Sequence, residues 1–369
     1  MQEVTRASSA AAVVLVSARD MQWRLLRFLL AAVATGLVFG VALMMSGVSN
    51  SFSVEITHTL QALGTPTWIV PVGGPGPFTD PTAFPASDVD AIRHVPGIIA
   101  ADPVLVGRAL TTGALHGGTT SGAESDVNVL GIVPGGVGAP KVVAGHAVSG
   151  QDAAVLDESI GARVGQRIAL NGVPFTVVGL VDGVTYFAGE PVVFVTLQAA
   201  ERLNTGGAPL ATAIIARGVP RGRIPGFTRL DNAQVRSDLA RPTAQAAQTI
   251  QLIEVLLWLV AAGIIGAIVY LSAIERRRDF AVLKAVGTPS TFLFAGLMLQ
   301  AVALAFGAAA IGVVVEIPMS HGSAMAVRLS ALSYLAVPVV AVVVGVVASV
   351  VPARKAARVD PAIAFGSGK

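Results

Sequence analysis

Residues 275–289 read Glu-Arg-Arg-Arg-Asp-Phe-Ala-Val-Leu-Lys-Ala-Val-Gly-Thr-Pro, and they separate two long apolar stretches of the chain. Phe280, Leu283 and Val286 recur at a helical spacing, which predicts a short helix with an apolar ridge. Gly287 is placed to end that helix in the left-handed conformation, and the proline two residues later prevents its continuation. A charged helix with an apolar ridge between two apolar stretches is typical of a docking element. The alternative is an ordinary connecting loop whose arginines only set the membrane topology.

The composition indicates an integral membrane protein. Of the 369 residues, 53% are hydrophobic and only 13% are charged, against about 25% charged in soluble domains. The absence of cysteine excludes disulfides, thiolate catalysis and cysteine-ligated metal sites. A formal charge of +3 with 3 Trp and 3 Tyr is a weak electrostatic basis for nucleic-acid binding.

Four apolar stretches are each long enough to cross the roughly 30 Å hydrocarbon core of a bilayer. They are residues 25–47, 250–274, 291–315 and 334–351. They divide the chain into a tail at 1–24, a large segment at 48–249, the basic segment 275–290, a short loop at 316–333 and a second tail at 352–369. We therefore predict an α-helical membrane protein with four transmembrane helices.

The distribution of basic residues predicts the orientation. Lys and Arg are concentrated in both tails and in 275–290, whereas the 48–249 segment contains them at lower density together with many acids. By the positive-inside rule, both termini and 275–290 are cytoplasmic, and 48–249 lies outside. In the first tail, Ser9 to Trp23 reads as an amphipathic helix on the inner leaflet, because its apolar run is short for a cleaved signal peptide and is followed directly by charges.

The external segment 48–249 reads as an α+β domain inserted between the first two spans. Asn171-Gly172 between two alternating runs predicts a hairpin with a type I′ turn. Residues 48–63 continue the first span as a helical extension, and 244–254 lead back into the membrane. Further strands are expected at 67–72, 103–110, 127–133, 167–170, 173–179, 192–196 and 212–216, and helices at 87–94, capped by Ser87, and 197–204.

Other polar residues give weak functional signals. Glu254 and Glu316 fall near the outer ends of spans, where a carboxylate can reach water, so pairing or snorkelling is favoured over proton coupling. The histidines lack spacing suited to metal binding or catalysis; they are His58, His94, His116, His146 and His321. No Walker A sequence is present, and the Gly-rich run 135–141 lacks the Gly-Lys pair of a phosphate-binding loop.

The 275–287 segment resembles the cytoplasmic coupling segment of FtsX-like or MacB-type ABC transporter permeases, whose pattern is roughly E-R-x-x-E-x-x-x-L-x-A-x-G. Asp279 stands where the family more often has Glu. The C-tail is similar to the family ending P-A-x-x-A-A-x-x-x-P, and residues 152–181 resemble an element of its external domain, with Gln166 in place of the usual Asp. By this resemblance, the residues expected to take part in ATPase coupling are Glu275, Arg276, Asp279, Phe280, Leu283, Lys284 and Gly287. The residues that match the C-tail motif are Pro352, Arg354, Arg358 and Pro361.

The resemblance implies a non-catalytic permease subunit with a MacB-like, type VII architecture in the cell (inner or plasma) membrane. It implies a dimer with a second permease copy, either identical or paralogous, and a separate dimeric ABC ATPase that holds ATP and Mg²⁺, so that no cofactor is expected in this chain. The expected function is export or extraction of an amphiphilic, peptide or lipid-linked substrate by mechanotransmission. The alternative is a non-transporting signalling protein that activates a cell-wall hydrolase, which would need an extracytoplasmic protein partner. Amino-acid import and a transmembrane enzyme or receptor are the less favoured interpretations.

Overall fold

The computed structural model of the chain describes residues 25–64, 67–112, 125–321 and 331–357. The chain divides into two compact units. The first, called here the membrane unit, comprises Met1–Asn50 and Ala247–Lys369, and the second, the sheet unit, comprises Ser51–Ala246. The predicted external segment 48–249 has nearly the same limits as the sheet unit. The predicted N-terminal amphipathic helix and residues 358–369 lie outside the described residues.

Seven helices follow one another along the described chain: α1 (Leu25–Ala62), α2 (Val89–Arg93), α3 (Leu197–Asn204), α4 (Asn232–Glu275), α5 (Arg277–Ala285), α6 (Ser290–His321) and α7 (Ala331–Ala357). Thirteen strands accompany them: β1 (Thr67–Pro71), β2 (Phe84–Pro85), β3 (Ile98–Thr112), β4 (Ser125–Ile132), β5 (Ala144–Gly145), β6 (Ala153–Asp157), β7 (Arg167–Leu170), β8 (Val173–Val181), β9 (Thr185–Tyr186), β10 (Glu190–Thr196), β11 (Leu210–Ala211), β12 (Ala213–Gly218) and β13 (Phe227–Leu230).

Three helices in the described ranges are long and apolar enough to cross a membrane: Leu26–Ala62, Asn232–Glu275 and Ser290–Pro318. Within α7 the stretch Val339–Val351 is apolar but shorter. Three of the four predicted spans therefore correspond to a helix that is both long enough and apolar enough to cross a membrane. The helices also run further than their apolar stretches: α1 continues to Ala62, as the helical extension predicts, and α6 continues to His321, into the predicted loop 316–333.

Glycines allow very close helix contacts in the core of the membrane unit. A Cβ added to Gly312 of α6 would lie 2.7 Å from Phe39 Cβ and 3.1 Å from the Gly36 carbonyl oxygen of α1. A Cβ on Gly345 of α7 would lie 2.8 Å from the Cα of Val302 in α6. Small residues of this kind let helix backbones approach each other where apolar burial alone gives little driving force within a bilayer. The contact geometry therefore fixes α6 against both neighbours.

The sheet unit is built on one mixed sheet with the strand order β13-β1-β12-β3-β4-β10-β6-β8-β5. The long strand β3 joins its two halves, because Ile98 to Val104 pair with β12 and Leu105 to Thr111 pair with β4. The β4–β10 and β6–β8 pairs are parallel. Helix α3 packs on β3 and β4, and α2 packs on β3. This arrangement confirms the α+β character predicted for the segment.

Of three local predictions for this unit, two are confirmed and one is wrong. The hairpin is confirmed, because Asn171 and Gly172 have φ values of 48° and 79° and Leu170 pairs with Val173. Helix α3 has the predicted bounds, and Thr196 caps it by accepting the Ala199 N–H. The predicted cap at Ser87 is wrong, because a 3₁₀ turn occupies Ala86–Asp88 and the following helix begins at Val89.

Candidate coupling segment

The segment 275–287 forms a separate short helix between two long ones. α4 ends at Glu275, Arg276 leaves the helical conformation with φ −100° and ψ 16°, and α5 begins at Arg277. Helix α5 ends as its sequence predicts: the Gly287 N–H donates to the Lys284 carbonyl at 3.0 Å and the Thr288 N–H donates to the Leu283 carbonyl at 2.9 Å. With Gly287 at φ 94°, this is a Schellman end, which satisfies carbonyls that would otherwise lack donors.

The predicted apolar ridge is divided between two faces of α5. Phe280 is 3% exposed and belongs to the core cluster of the membrane unit, and Leu283 is half-buried against that cluster. Val286 is 82% exposed, and Val282, one helical turn before it, is also exposed. The three residues of the predicted ridge therefore do not share one exposed face. Phe280 and Leu283 pack α5 against the other helices of the membrane unit. Val282 and Val286 form an apolar pair on the outer face of α5.

The acidic and basic residues of the segment hold it in place on one side and remain exposed on the other. Glu275 Oε1 forms an ion pair with Arg27 Nη1 of α1 at 2.8 Å. The Arg276 guanidinium lies 5.4 Å from the centre of the Phe280 ring and 3.8 Å from Asp279. A cation over an aromatic face contributes from about 0.5–1 kcal/mol at exposed sites to about 2 kcal/mol when desolvated, and the Arg276 side chain is only 15% exposed. Arg276 therefore helps to position Phe280 at the start of α5.

Two arginines in the first turn of α5 are exposed to solvent. Arg277 and Arg278 stand at the helix N-terminus, where a positive charge is unfavourable for the helix dipole. Asp279 in the same turn offsets part of that cost, and its side chain is largely exposed. The result is a charged outer face that surrounds Val282 and Val286. Lys284 lies half-buried near the other end of the helix.

The C-tail motif is described only in part. Pro352 and Arg354 lie in the last turns of α7, and the Arg354 side chain is exposed. Arg358 and Pro361 lie outside the described residues. In the described ranges, no group of three or more His, Asp and Glu side chains is arranged to hold a metal ion.

Family profiles match nearly the whole chain. Residues 28–251 match the MacB-like periplasmic core domain, and residues 252–361 match the FtsX-like permease C-terminal domain. The chain belongs to the MacB- and FtsX-like ABC transporter permeases. It is a membrane protein, and its family implies an ATPase partner and a non-catalytic role for the permease itself.

Relatives of this permease are found among mycobacteria. An uncharacterized ABC transporter permease of Mycobacterium tuberculosis is 37% identical over 94% of this chain and 98% of its own length. Another, from Mycobacterium bovis, is 36% identical over 94% of this chain and 98% of that protein. The macrolide export ATP-binding/permease protein MacB of an Azoarcus species is 27% identical over 90% of this chain and 56% of its own length.

A crystal structure of the periplasmic region of MacB from Actinobacillus actinomycetemcomitans covers 49% of this chain and 96% of that one. The sequence identity is 15% and the TM-score is 0.32.

The boundary between the two family matches separates the segment 275–287 of the permease from its sheet unit. The change at residue 252 falls inside α4, close to the end of the sheet unit at Ala246. The segment 275–287 and α5 to α7 lie in the second match as far as residue 361. The segment whose motif resembles a coupling element therefore lies in the part of the chain that matches the FtsX-like permease C-terminal domain.

One acid of the permease is placed differently from its prediction. The sequence places Glu316 near a span end, where pairing or snorkelling is favoured, but in the structure it lies inside the longer α6 and is 1% exposed. Its Oε1 has no hydrogen-bond partner among the described residues. The extension of α6 to His321 explains the difference, because Glu316 no longer stands at a helix terminus. Glu254 is half-buried.

The sequence did not predict two contacts within the membrane unit. The pairing of Arg27 with Glu275 joins residues 248 positions apart. The close approach of α1 and α6 at Gly36 and Gly312 joins helices that no local pattern connects. The spacing of Gly36 and Gly40 on one helical face was the available signal for the second contact, because such pairs are typical of tight packing between membrane helices.

Proposed function

We propose that this chain is the membrane-spanning subunit of an ATP-driven complex in the cell membrane, with four spans, both termini in the cytoplasm and the sheet unit outside. Two copies, identical or paralogous, would assemble with a dimeric ABC ATPase, and 275–287 would be the main ATPase contact. Nucleotide-driven movement would then reach the sheet unit and drive export or extraction of an amphiphilic, peptide or lipid-linked substrate. The export proteins among the relatives support transport over signalling as the outcome.

The observation that carries this proposal is the two-sided character of α5. Its inner face is fastened by Phe280 in the core and by the ion pair of the adjacent Glu275, so the helix is a rigid part of the bundle. Its outer face presents Val282 and Val286 among charges. Isolated exposed valines are ordinary on a protein surface, but a rigid helix with an apolar pair at i and i+4 is a suitable ridge for a groove on a partner protein.

The test replaces Val286 by Asn in the full-length permease coexpressed with its ATPase. Asn adds no charge, so the topology signal is unchanged, and Val286 makes little contact within its own chain. Burying an unpaired amide against the ATPase costs about 1–3 kcal/mol, a loss of about 5- to 150-fold in affinity. We expect reduced copurification of the ATPase and reduced permease-stimulated ATP hydrolysis, with unchanged membrane insertion.

Three further variants interpret that result. Val143→Asn changes an exposed valine of the sheet unit, 53% exposed against 82% for Val286, and serves as the control for the Val-to-Asn change itself. Arg278→Ala, which removes a charge beside the apolar pair but changes no position of the family motif, should have only a mild effect. Leu283→Asp should also disrupt the complex, but its half-buried position means that it would disturb α5 packing as well. Full ATPase binding and stimulation in Val286→Asn would show that α5 is not the docking element.

A further inference from the structure

The β9–β10 turn of the sheet unit has an unusual backbone. Phe187, Ala188 and Gly189 have φ values of 57°, 71° and 93°. For residues other than glycine, the left-handed region costs about 1–2 kcal/mol per residue. Strain of this kind persists only where the surroundings hold the backbone in place. The contacts of the turn and of its two ends therefore indicate what keeps it in this conformation.

Helix α1 holds the turn at both of its ends. Glu55 Oε1 accepts the Gly189 N–H at 2.6 Å, and Thr59 Oγ1 donates to the Thr185 carbonyl at 2.6 Å. Residues 55 and 59 are one helical turn apart, so both contacts come from the same face of α1. Glu55 lies beyond the predicted span 25–47, and burial raises its pKa, with hydrogen bonds from Thr185 and the turn backbone opposing the rise.

Helix α4 holds a second loop in the same way. Asp238 is 1% exposed; its Oδ2 accepts the Phe78 N–H at 2.8 Å, and its Oδ1 accepts the Thr79 hydroxyl. Arg241, three residues further along α4, donates to the Pro75 carbonyl at 3.1 Å. A Cβ at Gly76 would lie 2.1 Å from the Asp238 Cγ, so the loop backbone lies directly on this carboxylate.

The two loops meet in the core of the sheet unit. The rings of Phe78 and Tyr186 are 5.4 Å apart, and those of Tyr186 and Phe187 are 4.7 Å apart in an edge-to-face arrangement. Phe78 and Tyr186 belong to the same buried cluster, and Phe187 packs against it. Arg108, which pairs with Glu190, lies 5.9 Å from the centre of the Phe187 ring. A continuous chain of contacts therefore runs from Glu55 on α1, through the turn and the aromatic rings, to Asp238 on α4.

We propose that Glu55 and Asp238 are positioning residues that convert relative movement of α1 and α4 into a change of the turn 187–189. The turn is the element with two states: strained while Glu55 and Thr59 hold it, and relaxed when α1 withdraws. The inference rests on the proposed function, because the ATPase cycle supplies the helix movement. It goes further by naming the place where the sheet unit receives that movement.

The experiment uses the full-length permease with its copurifying ATPase in lipid nanodiscs. Hydrogen–deuterium exchange is followed in the peptide covering 185–191, with and without ATP and vanadate. In the native protein we expect the exchange of this peptide to differ between the two nucleotide states. In Glu55→Ala the difference should be lost, whereas Glu55→Gln, which keeps an acceptor for the Gly189 N–H, should retain most of it.

One control and two further variants separate positioning from simple stability. Asp182→Ala removes an exposed carboxylate close to the turn and should leave the nucleotide response intact. Thr59→Val removes the second contact at nearly constant volume and should reduce the response even if Glu55→Ala yields no protein. On α4, Asp238→Asn should reduce the nucleotide response of the peptide covering 73–79 together with that of 185–191.

The outcomes distinguish this inference from the function on which it rests. A turn that exchanges faster in Glu55→Ala and Thr59→Val but keeps its nucleotide difference would show a structural role only and would overturn the inference. So would an unresponsive turn in a native complex whose coupling segment 275–287 does respond to nucleotide. If no ATPase assembles with the permease, the proposed function fails, and the inference fails with it.

Discussion

The two units bring distant parts of the chain together by different physical means. In the membrane unit, α1 and α6 come close because Gly36 and Gly312 have no side chains to separate them. In the sheet unit, close approach depends on carboxylates that accept backbone N–H groups, as Glu55 does from Gly189. A bilayer supplies no water to the backbone, and helices satisfy their own hydrogen bonds there, so packing alone can fix them. Loop amides outside a bilayer lack such intrahelical partners, and an acid on a nearby helix can accept their hydrogen bonds in place of water.

The difference between the units depends on their occupying different environments, and a chain without cysteine can be labelled at introduced thiols to test this. Ser125 lies in the sheet unit and Ser290 at the start of α6. We expect an impermeant thiol reagent to label Ser125→Cys in intact cells and to label Ser290→Cys only after permeabilisation. Because Ser290 follows the basic segment, its labelling in intact cells would reverse the orientation and the positive-inside argument with it.

The largest stability effect is expected where the membrane unit is tightest. Gly312→Leu places a side chain where even a Cβ would meet Phe39 at 2.7 Å. Overpacking costs about 1–3 kcal/mol and occasionally more, and here the obstruction includes backbone, which cannot change rotamer. We expect loss of monodisperse protein in detergent or a large fall in its melting temperature.

Gly307→Leu is the matched control for that substitution. It lies on the same helix, and a Cβ there meets nothing within 4 Å. The change also alters hydrophobicity and helix propensity in the same way, so a difference between the two variants reports packing alone. Equal melting temperatures would mean that the α1–α6 contact contributes little to the stability of the membrane unit.

The sequence predicts those features of the chain that depend on neighbouring residues. The helix end at Gly287 and the turn at Asn171-Gly172 each need only local conformational preferences, and both are observed. The division of the α5 ridge could not be predicted, because burial of Phe280 depends on helices from distant parts of the chain. The same holds for Glu55 and Gly189, which are 134 positions apart. An isolated glutamate in a helix carries no sign of the backbone amide that it binds.

A smaller effect is expected at the hairpin of the sheet unit. Gly172→Val puts a β-branched residue at φ 79°, where nothing lies within 4 Å of the added Cβ, so the backbone alone determines the cost. That cost is about 1–2 kcal/mol. We expect faster hydrogen exchange in the peptide covering β7 and β8. Gly172→Asn should cost less, since Asn tolerates this region. Equal exchange in both variants would mean that backbone strain at this turn does not determine the stability of the β7–β8 hairpin.

The smallest effect concerns the pH dependence that Glu55 gives the sheet unit. Its pKa is raised in the folded protein, mainly by burial, so the folded state holds this proton more tightly than the unfolded state. The stabilising contribution is therefore complete below the unfolded pKa and is lost as pH rises through the folded pKa. Glu55→Gln has no proton to lose, so the stability of the native protein relative to this variant should decline from about pH 4.5 towards neutrality. Urea unfolding followed through Trp68, with Trp23 and Trp258 replaced by Phe, measures the difference. A relative stability that rose with pH would show that the bonds from Gly189 and Thr185 outweigh burial, and Glu55 would then act as a permanently charged anchor.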